Sequence, residues 1–154
     1  MGKEQASLLE GRNLEPLSDD RIQTVYATFH WFDRTANVKF DGGRTRFSPV
    51  AGDPNVNHRI FFGPDIFPGQ NIGNPNSCLS MRAAVVHELT HRARHDNGFE
   101  VNEPELEHID EALTSLSAIL QFQRKLEDYE ILELVADAVH RLQKFVQEHQ
   151  APGG

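Results

Sequence analysis

The sequence predicts an α+β fold, in which a small twisted β-sheet and about four helices form one domain. Three segments repeat apolar residues with the spacing of a helix face, and a fourth helix-like segment carries closely spaced histidines. Between Asn37 and Ile72, short β-rich pieces alternate with Gly, Pro and Asn. A chain of 154 residues has the usual size of one domain and can bury a core without disulfides.

The first helix is expected to start after Ser18. Asp19 and Asp20 provide an N-terminal signal, and the apolar residues of one face then follow: Ile22, Val25, Tyr26, Phe29 and Phe32. Residues 1–17 lack such periodicity and are expected to form an N-terminal arm. The domain itself is placed at residues 18–149, and residues 150–154 are expected to be a C-terminal tail.

The next segment is expected to supply the sheet. Val38–Phe40 and Arg44–Phe47 flank Asp41-Gly42-Gly43, an arrangement typical of a β-hairpin. Arg59–Phe62 is a third strand candidate, ended by Gly63-Pro64. The run from Pro68 to Asn76 is rich in Gly, Pro and Asn and is expected to be a surface loop.

Three more helices are expected in the second half of the chain. Ser77 can cap the helix that contains the histidines, and Asn97-Gly98 can end it. Pro104 suits the start of the next helix, whose inward residues are expected to be Leu106, Ile109, Leu113, Leu116, Ile119 and Leu120. The last helix is expected from about Asp128, with inward residues Ile131, Val135, Val139, Leu142 and Val146.

Composition argues against several classes of protein. The net charge is −8 and the 15 basic residues are scattered, so the chain lacks the basic footprint that nucleic acid requires. Its N-terminus lacks the apolar stretch of a signal peptide, and no apolar run approaches the roughly 18 residues that span a membrane. We therefore expect a cytoplasmic protein without a membrane partner, with secretion as an effector left open. Cys78 is the single cysteine and has no assigned role. The oligomeric state is also left open.

The motif His87-Glu88-Leu89-Thr90-His91 predicts a metal site. Residues four apart on a helix share a face and lie about 6 Å apart along its axis, so both imidazoles can reach one ion. Glu88 directly follows the first histidine, where a general base for metal-assisted hydrolysis is needed. His95 lies about 12 Å from His87 along the axis, which is too far for a shared ion.

Spacing also indicates a third metal ligand. The helix after Pro104 must return roughly antiparallel, and Glu111 and His91 each lie about 10 Å from the connecting turn. The two residues should therefore face each other. Glu107 would lie about one turn lower, near His95, and Asp110 is rotated off that face, so both rank behind Glu111.

Taken together, the motif and a glutamate twenty residues later resemble the gluzincin metallopeptidases, thermolysin among them. The likeness covers Val85 to about Ser117, including Ile109-Asp110-Glu111-Ala112. It implies a zincin-like minimal domain that binds Zn²⁺ through His87, His91 and Glu111, with Glu88 as the catalytic base. It also implies a sheet edge that binds extended peptide; Arg59–Phe62 is the candidate, with an ordinary core strand as the alternative.

One position departs from the family pattern. The family's aspartate four residues after the glutamate ligand, which hydrogen-bonds the first histidine, is replaced here by Ser115. Serine can accept a hydrogen bond from an imidazole but adds no negative charge. An oxyanion-stabilising donor should exist as well, and the sequence leaves four side chains open: Tyr129, His140, His108 and Tyr26.

The sequence therefore predicts a zinc-dependent metalloendopeptidase with a protein or peptide substrate and narrow specificity. One alternative is a di-metal carboxylate protein in a helical bundle, because Glu88 and His91 share their spacing with Glu105 and His108. Glu133 could supply a further ligand to such a site. The second alternative is a peptidase-like fold that only binds or regulates.

Overall fold

The protein is described by a computed structural model covering residues 11–49 and 59–150. Residues 1–10 of the expected arm and residues 151–154 of the expected tail lie outside the described residues. The fold is α+β. Its helices are α1 (Asp19–Phe32), α2 (Pro75–Cys78), α3 (Met81–Asp96), α4 (Glu107–Phe122) and α5 (Asp128–His149). Its strands are β1 (Val38–Phe40), β2 (Arg46–Ser48) and β3 (Arg59–Phe62), and 3₁₀ turns occur at Pro64–Ile66 and Pro104–Leu106.

Helix α1 begins where the sequence predicts. The Ser18 side chain accepts a hydrogen bond from the backbone N–H of Arg21, which satisfies one of the free donors of the first turn. Three residues of the expected apolar face, Val25, Phe29 and Phe32, are buried. The prediction for this element is confirmed.

The described residues form a sheet of three strands, but the predicted hairpin is wrong. The strand order is β1-β3-β2, with β1 parallel and β2 antiparallel to β3. After β1 the backbone N–H groups of Asp41 and Gly42 both donate to the Phe62 carbonyl. The chain therefore crosses the end of β3 instead of folding back on β1. Among the described strands, Arg59–Phe62 is consequently the central one. The alternative of an ordinary core strand is therefore confirmed, and the candidate sheet edge is wrong.

Helix α3 starts three residues later than expected. Ser80 is its N-cap and accepts from the backbone N–H of Ala83, whereas the Ser77 hydroxyl donates to the Gly11 carbonyl. Ser77 belongs to α2, a single helical turn. This turn begins inside the expected surface loop and ends two residues after it. The C-terminus of α3 lies where the sequence predicts it. Gly98 has φ +73°, and the N–H of Phe99 reaches back to the Arg94 carbonyl, as in a Schellman motif.

Helices α4 and α5 exist as predicted, but the inward faces of both differ from the expectation. Most of the leucines and valines expected inside are exposed on one side: Leu113, Leu116, Leu120, Val135, Val139, Leu142 and Val146. Ile119 and Ile131 do pack against the core. The buried positions are largely small or polar: Glu111, Ala112, Thr114, Ser115 and Ala118 on α4, and Glu130, Leu134, Asp137, Ala138 and Arg141 on α5.

Helix α3 lies at the centre of the molecule. It contacts β2, β3 and α1 on one side and α4 and α5 on the other. Its apolar residues Val85, Val86 and Leu89 join the core with Ile60 and Phe62 of β3. Its His87, Thr90 and Arg94 are also buried. Among the described residues, no helix is both long and apolar enough to cross a membrane.

Candidate metal site

The two motif histidines lie side by side on α3. They are four residues apart, so both point from the same face of the helix. Their ring centroids are 4.7 Å apart, and the rings are nearly perpendicular at 82°. The side chain of His87 is 6% exposed and that of His91 is 17% exposed, so His91 forms the more open side of the pair.

The turn between α3 and α4 brings a carboxylate to these rings. Arg94 is the main link: its guanidinium donates to the Phe99 and Asp110 carbonyls and to the Thr114 hydroxyl. It also forms a 2.9 Å ion pair with the Asp110 side chain. These contacts fix the angle at which α4 returns along α3. Asp110 is therefore occupied in holding the turn.

Glu111 is the carboxylate that contacts both histidines. Its Oε2 atom lies 2.8 Å from Nε2 of His87 and 3.0 Å from Nε2 of His91. The structure thus brings together the three residues that spacing selects. Glu107, one turn away, forms no hydrogen bond or ion pair with either ring in the described part of the chain. In a tetrahedral zinc site with bonds of about 2.0–2.1 Å, ligand atoms lie about 3.3 Å apart, so these contacts are within about half an ångström of that spacing.

Hydrogen bonds behind His87 orient its ring. Nδ1 of His87 lies 2.8 Å from the Ser115 hydroxyl, and that hydroxyl donates to Oδ2 of Asp137 at 2.7 Å. Because the single hydroxyl proton goes to Asp137, the serine oxygen accepts from His87 Nδ1–H. Nε2 is then the atom that can bind a metal. Asp137 itself is buried and paired with Arg141 at 2.9 Å.

This arrangement corrects one inference from the sequence. Ser115 does not leave His87 without a negative charge, because the serine passes the hydrogen bond on to Asp137. Neither Asp137 nor Arg141 was selected from the sequence. The available signal was the helical spacing of Glu130, Asp137 and Arg141, which puts polar residues on one face of α5.

The electrostatics of the three residues are strongly coupled. Burial disfavours a charged ring, but the charge and hydrogen bond of Glu111 outweigh burial and raise the pKa of His91 to about 9. Burial opposes ionisation of Glu111 too, yet His91 and Arg141 hold the pKa of its carboxyl well below the usual value. Glu111 is therefore an anion that faces two ring nitrogens. If His87 is protonated at Nδ1 only, Nε2 of His87 and Oε2 of Glu111 are both acceptors. Two facing acceptors need a proton or a cation between them.

Glu88 lies next to this group and has a free carboxylate oxygen. Its Oε2 atom is buried and has no hydrogen-bond partner among the described residues. Burial is the main cause that raises the pKa of Glu88, against the opposing effect of His91 and His87. A cavity of about 50 Å³ adjoins it and is also lined by His87, Asp65, Arg12 and Arg141. That volume suits a few water-sized groups.

Other residues singled out from the sequence lie elsewhere. His95 pairs with Glu100, and its ring contacts that of Phe47 at a tilt of 59°, away from His87. His108 pairs with Glu148, and Glu133 accepts from the backbone of Ser80. Within the part of the chain that the structure describes, the second ligand set of a di-metal site is therefore not assembled.

None of the four expected oxyanion donors lines the cavity beside Glu88. Tyr26 instead accepts from the backbone of Phe40, and Tyr129 is 56% exposed. Arg12 and Arg141 are the cationic side chains at that cavity.

Among the described residues, one group of metal-ligating side chains stands out: His87, Glu88 and His91 have donor atoms within 4.8 Å of one another. Glu111 makes shorter contacts with both rings than that limit, so we regard it as the carboxylate nearest the site. Two imidazoles with a carboxylate fit zinc and several other divalent transition metals. No family model, curated protein or solved structure matches the chain.

Proposed function

We propose that the protein is a zinc-dependent metallopeptidase. One observation carries the proposal: His87 and His91 direct their Nε2 atoms at one oxygen of Glu111, and Glu88, which has a carboxylate oxygen without a partner among the described residues, has a ligand atom within 4.8 Å of theirs. A site with two histidines and one glutamate on the metal and an adjacent second glutamate is the donor set of hydrolytic zinc. Other divalent metals also suit these donors, and the elemental analysis described below distinguishes them from zinc.

The chain's own residues supply positioning and proton transfer. Zinc held by His87, His91 and Glu111 would lower the pKa of a water molecule and polarise the scissile carbonyl. As the water oxygen bonds to the carbonyl carbon, the water loses a proton, and Glu88 accepts that proton. It then delivers this proton to the amine as the C–N bond breaks. The raised pKa of Glu88 supports this role, because the carboxyl can hold the proton between the two steps.

The sheet suggests how a peptide would lie in the site. Strand β2 is at one end of the described strand order, and it contacts α3. A substrate segment in extended conformation can add to such an edge through main-chain hydrogen bonds. We propose β2 for this role in place of β3, which is internal. An edge of three residues, Arg46–Ser48, supports the narrow specificity expected from the sequence.

The metal is tested first. Elemental analysis of protein purified without chelator should find about one zinc per chain for the wild type and none for His91→Ala. His95→Ala is the matched control, because it removes the same side chain one turn further along α3 and should keep the zinc. Two metal ions per chain would favour the di-metal alternative, and no metal would refute the proposal.

Hydrolysis is tested next with Glu88→Gln. This variant should retain zinc and lose cleavage of a peptide library, because Gln cannot accept the proton. A wild-type protein that holds zinc but cleaves no peptide in the library, and no protein in a cell lysate scored by new N-termini, would support the binding or regulatory alternative instead.

A further inference from the structure

Helices α4 and α5 present a continuous apolar surface on the side away from α3. We call it the α4–α5 face, and it consists of eight residues: Leu113, Leu116, Leu120, Leu132, Val135, Val139, Leu142 and Val146. Each of these side chains is between 38% and 75% exposed. Several polar residues of the same helices are buried instead, among them Glu111, Asp137 and Arg141, so the usual arrangement of an amphipathic helix is largely reversed. A monomer would leave this surface in water.

The spacing of these residues is that of a helix-packing seam. On α5 the intervals from Leu132 to Val146 are three, four, three and four residues, which is the a/d pattern of a heptad repeat. On α4, Leu113, Leu116 and Leu120 follow the same rule. Each helix therefore offers a row of knobs that fits between the side chains of a facing helix. Two such rows side by side can pack on two further helices.

Charged residues are absent from the exposed part of this face. In the sequence, no residue from Ala112 to Gln123 is charged, although 25% of the whole chain is Asp, Glu, Lys or Arg. From Tyr129 to Gln147 every charged side chain is at least partly buried, and the exposed residues are Tyr, Leu, Val, Ala and Gln. Depletion of charge is characteristic of the centre of an interface between subunits.

The area of the face matches what a stable dimer needs. Eight Leu and Val side chains exposed to this degree present on the order of 700 Å², compared with about 800 Å² per partner in a standard interface. A typical monomer's largest apolar patch is about 300–600 Å². The apolar area of the α4–α5 face is therefore larger than that of the largest apolar patch on a typical monomer.

We propose that the α4–α5 face binds a second copy of this chain, so that α4 and α5 of both copies form a four-helix interface. An uncharged face with heptad spacing is complementary to itself, as an interface with twofold symmetry requires. Two chains of net charge −8 repel each other, and a contact surface without exposed charge keeps that repulsion small. A lipid surface fits less well, because membrane-bound helices carry Lys and Arg beside the apolar face.

Sedimentation equilibrium of the full chain tests the proposal. We expect a dimer at micromolar concentration for the wild type. Val139→Glu puts two charges at the centre of the interface and should raise the dissociation constant about 100-fold or more. Ala27→Glu is the matched control, because it adds the same charge at an exposed position of α1 and should leave the dimer intact.

Circular dichroism checks that the variants keep their helices. Should Val139→Glu unfold, Leu120→Gln repeats the test at the most exposed of the eight positions. A wild type that remains monomeric at 200 µM would overturn the proposal; vesicle co-sedimentation would then show whether lipid is the occupant. A dimer that survives both substitutions would overturn it as well, because a different surface would then hold the two copies together.

Discussion

Replacing Asp137 by Asn tests whether this buried carboxylate acts on the histidine pair through Ser115. In the folded protein two hydrogen bonds, of 2.8 and 2.7 Å, link the His87 ring to Asp137. The negative charge makes the serine oxygen a better acceptor, and this in turn makes Nε2 of His87 a better metal ligand. Asn keeps the size and one acceptor oxygen but removes the charge.

The expected effect on zinc affinity follows from this arrangement. Removing a partner that orients a metal-binding histidine weakens metal binding by about 10–100-fold. Here the carboxylate acts through one intermediate hydroxyl, and Arg141 at 2.9 Å partly neutralises it. We therefore expect zinc affinity to fall by the lower limit of that range, about 10-fold or 1.4 kcal/mol. The free energy of unfolding should fall by about 3 kcal/mol, because Arg141 loses one buried partner but keeps Glu111 at 3.9 Å.

Competition with a chromophoric chelator measures the affinity, and urea unfolding measures the stability. Asp137→Asn, Ser115→Ala and the double variant form a thermodynamic cycle. Because both residues act through the same bond to His87, the double variant should lose little more affinity than either single one. Glu133→Gln is the control, since it removes one negative charge from the same helix at a residue that binds Ser80. It should leave the zinc affinity unchanged.

Two results would refute this reasoning. If Asp137→Asn binds zinc as tightly as the wild type, the charge has no influence on the metal ligands. If instead the losses of the two single variants add fully, Asp137 and Ser115 act independently and the proposed chain of hydrogen bonds is wrong.

Glu111→Ala should weaken zinc binding at least 100-fold while Glu107→Ala leaves it unchanged, as measured by the same competition; the reverse result would move the ligand by one helical turn. Gly98→Ala should lower the free energy of unfolding by about 1–2 kcal/mol in urea. An added Cβ meets nothing within 4 Å, so the cost is that of the left-handed backbone alone, and an unchanged stability would mean that φ is not positive there. Arg12→Ala should cost about 3 kcal/mol or more in a thermal melt, because its guanidinium binds the carbonyls of five residues, two in the 3₁₀ turn at Pro64–Ile66 and three in or just after α2; a loss below about 1 kcal/mol would contradict this.

Local signals in the sequence located the helices well. Ser18 and Gly98 act within a few residues of their own positions, so capping can be inferred without knowledge of the fold. Pairing of strands depends on distant residues. The turn at Asp41-Gly42-Gly43 is a hairpin signal, yet β3, about 20 residues further along the chain, inserts between the strands on either side of it. Three-residue strands carry too little pattern to reveal that.

The inward faces of α4 and α5 were mispredicted for a different reason. The prediction assumed that leucines and valines point to the core, which holds when the core is apolar. In this molecule the space between α3, α4 and α5 is filled by a polar network that includes His87, Glu111, Ser115, Asp137 and Arg141. The polar stripe of α5 therefore had to face inward, and the apolar stripe was left outside.

The residues of the candidate site were found because they obey helix geometry. Glu111 follows from the length of the turn and the rise per residue, both of which can be computed from the chain. Asp137 lies on a third helix whose rotation is set by the whole assembly, so no local rule selects it. Arg12 is similar, since it binds backbone carbonyls more than fifty residues away.

The turn fixed by Arg94 also bears on the order in which the protein folds. The contacts that join His91 to Glu111 and Arg94 to Thr114 span only 20 residues, whereas Asp137 binds Asn76 across 61 residues and Arg12 binds Leu79 across 67. Short loops close faster and at a smaller loss of chain entropy than long ones. We therefore expect the helical hairpin with the three proposed metal donors to form before Asp137 and Arg12 make their long-range contacts. A metal ion present during synthesis would then meet its proposed ligands before α5 and the N-terminal segment pack around them.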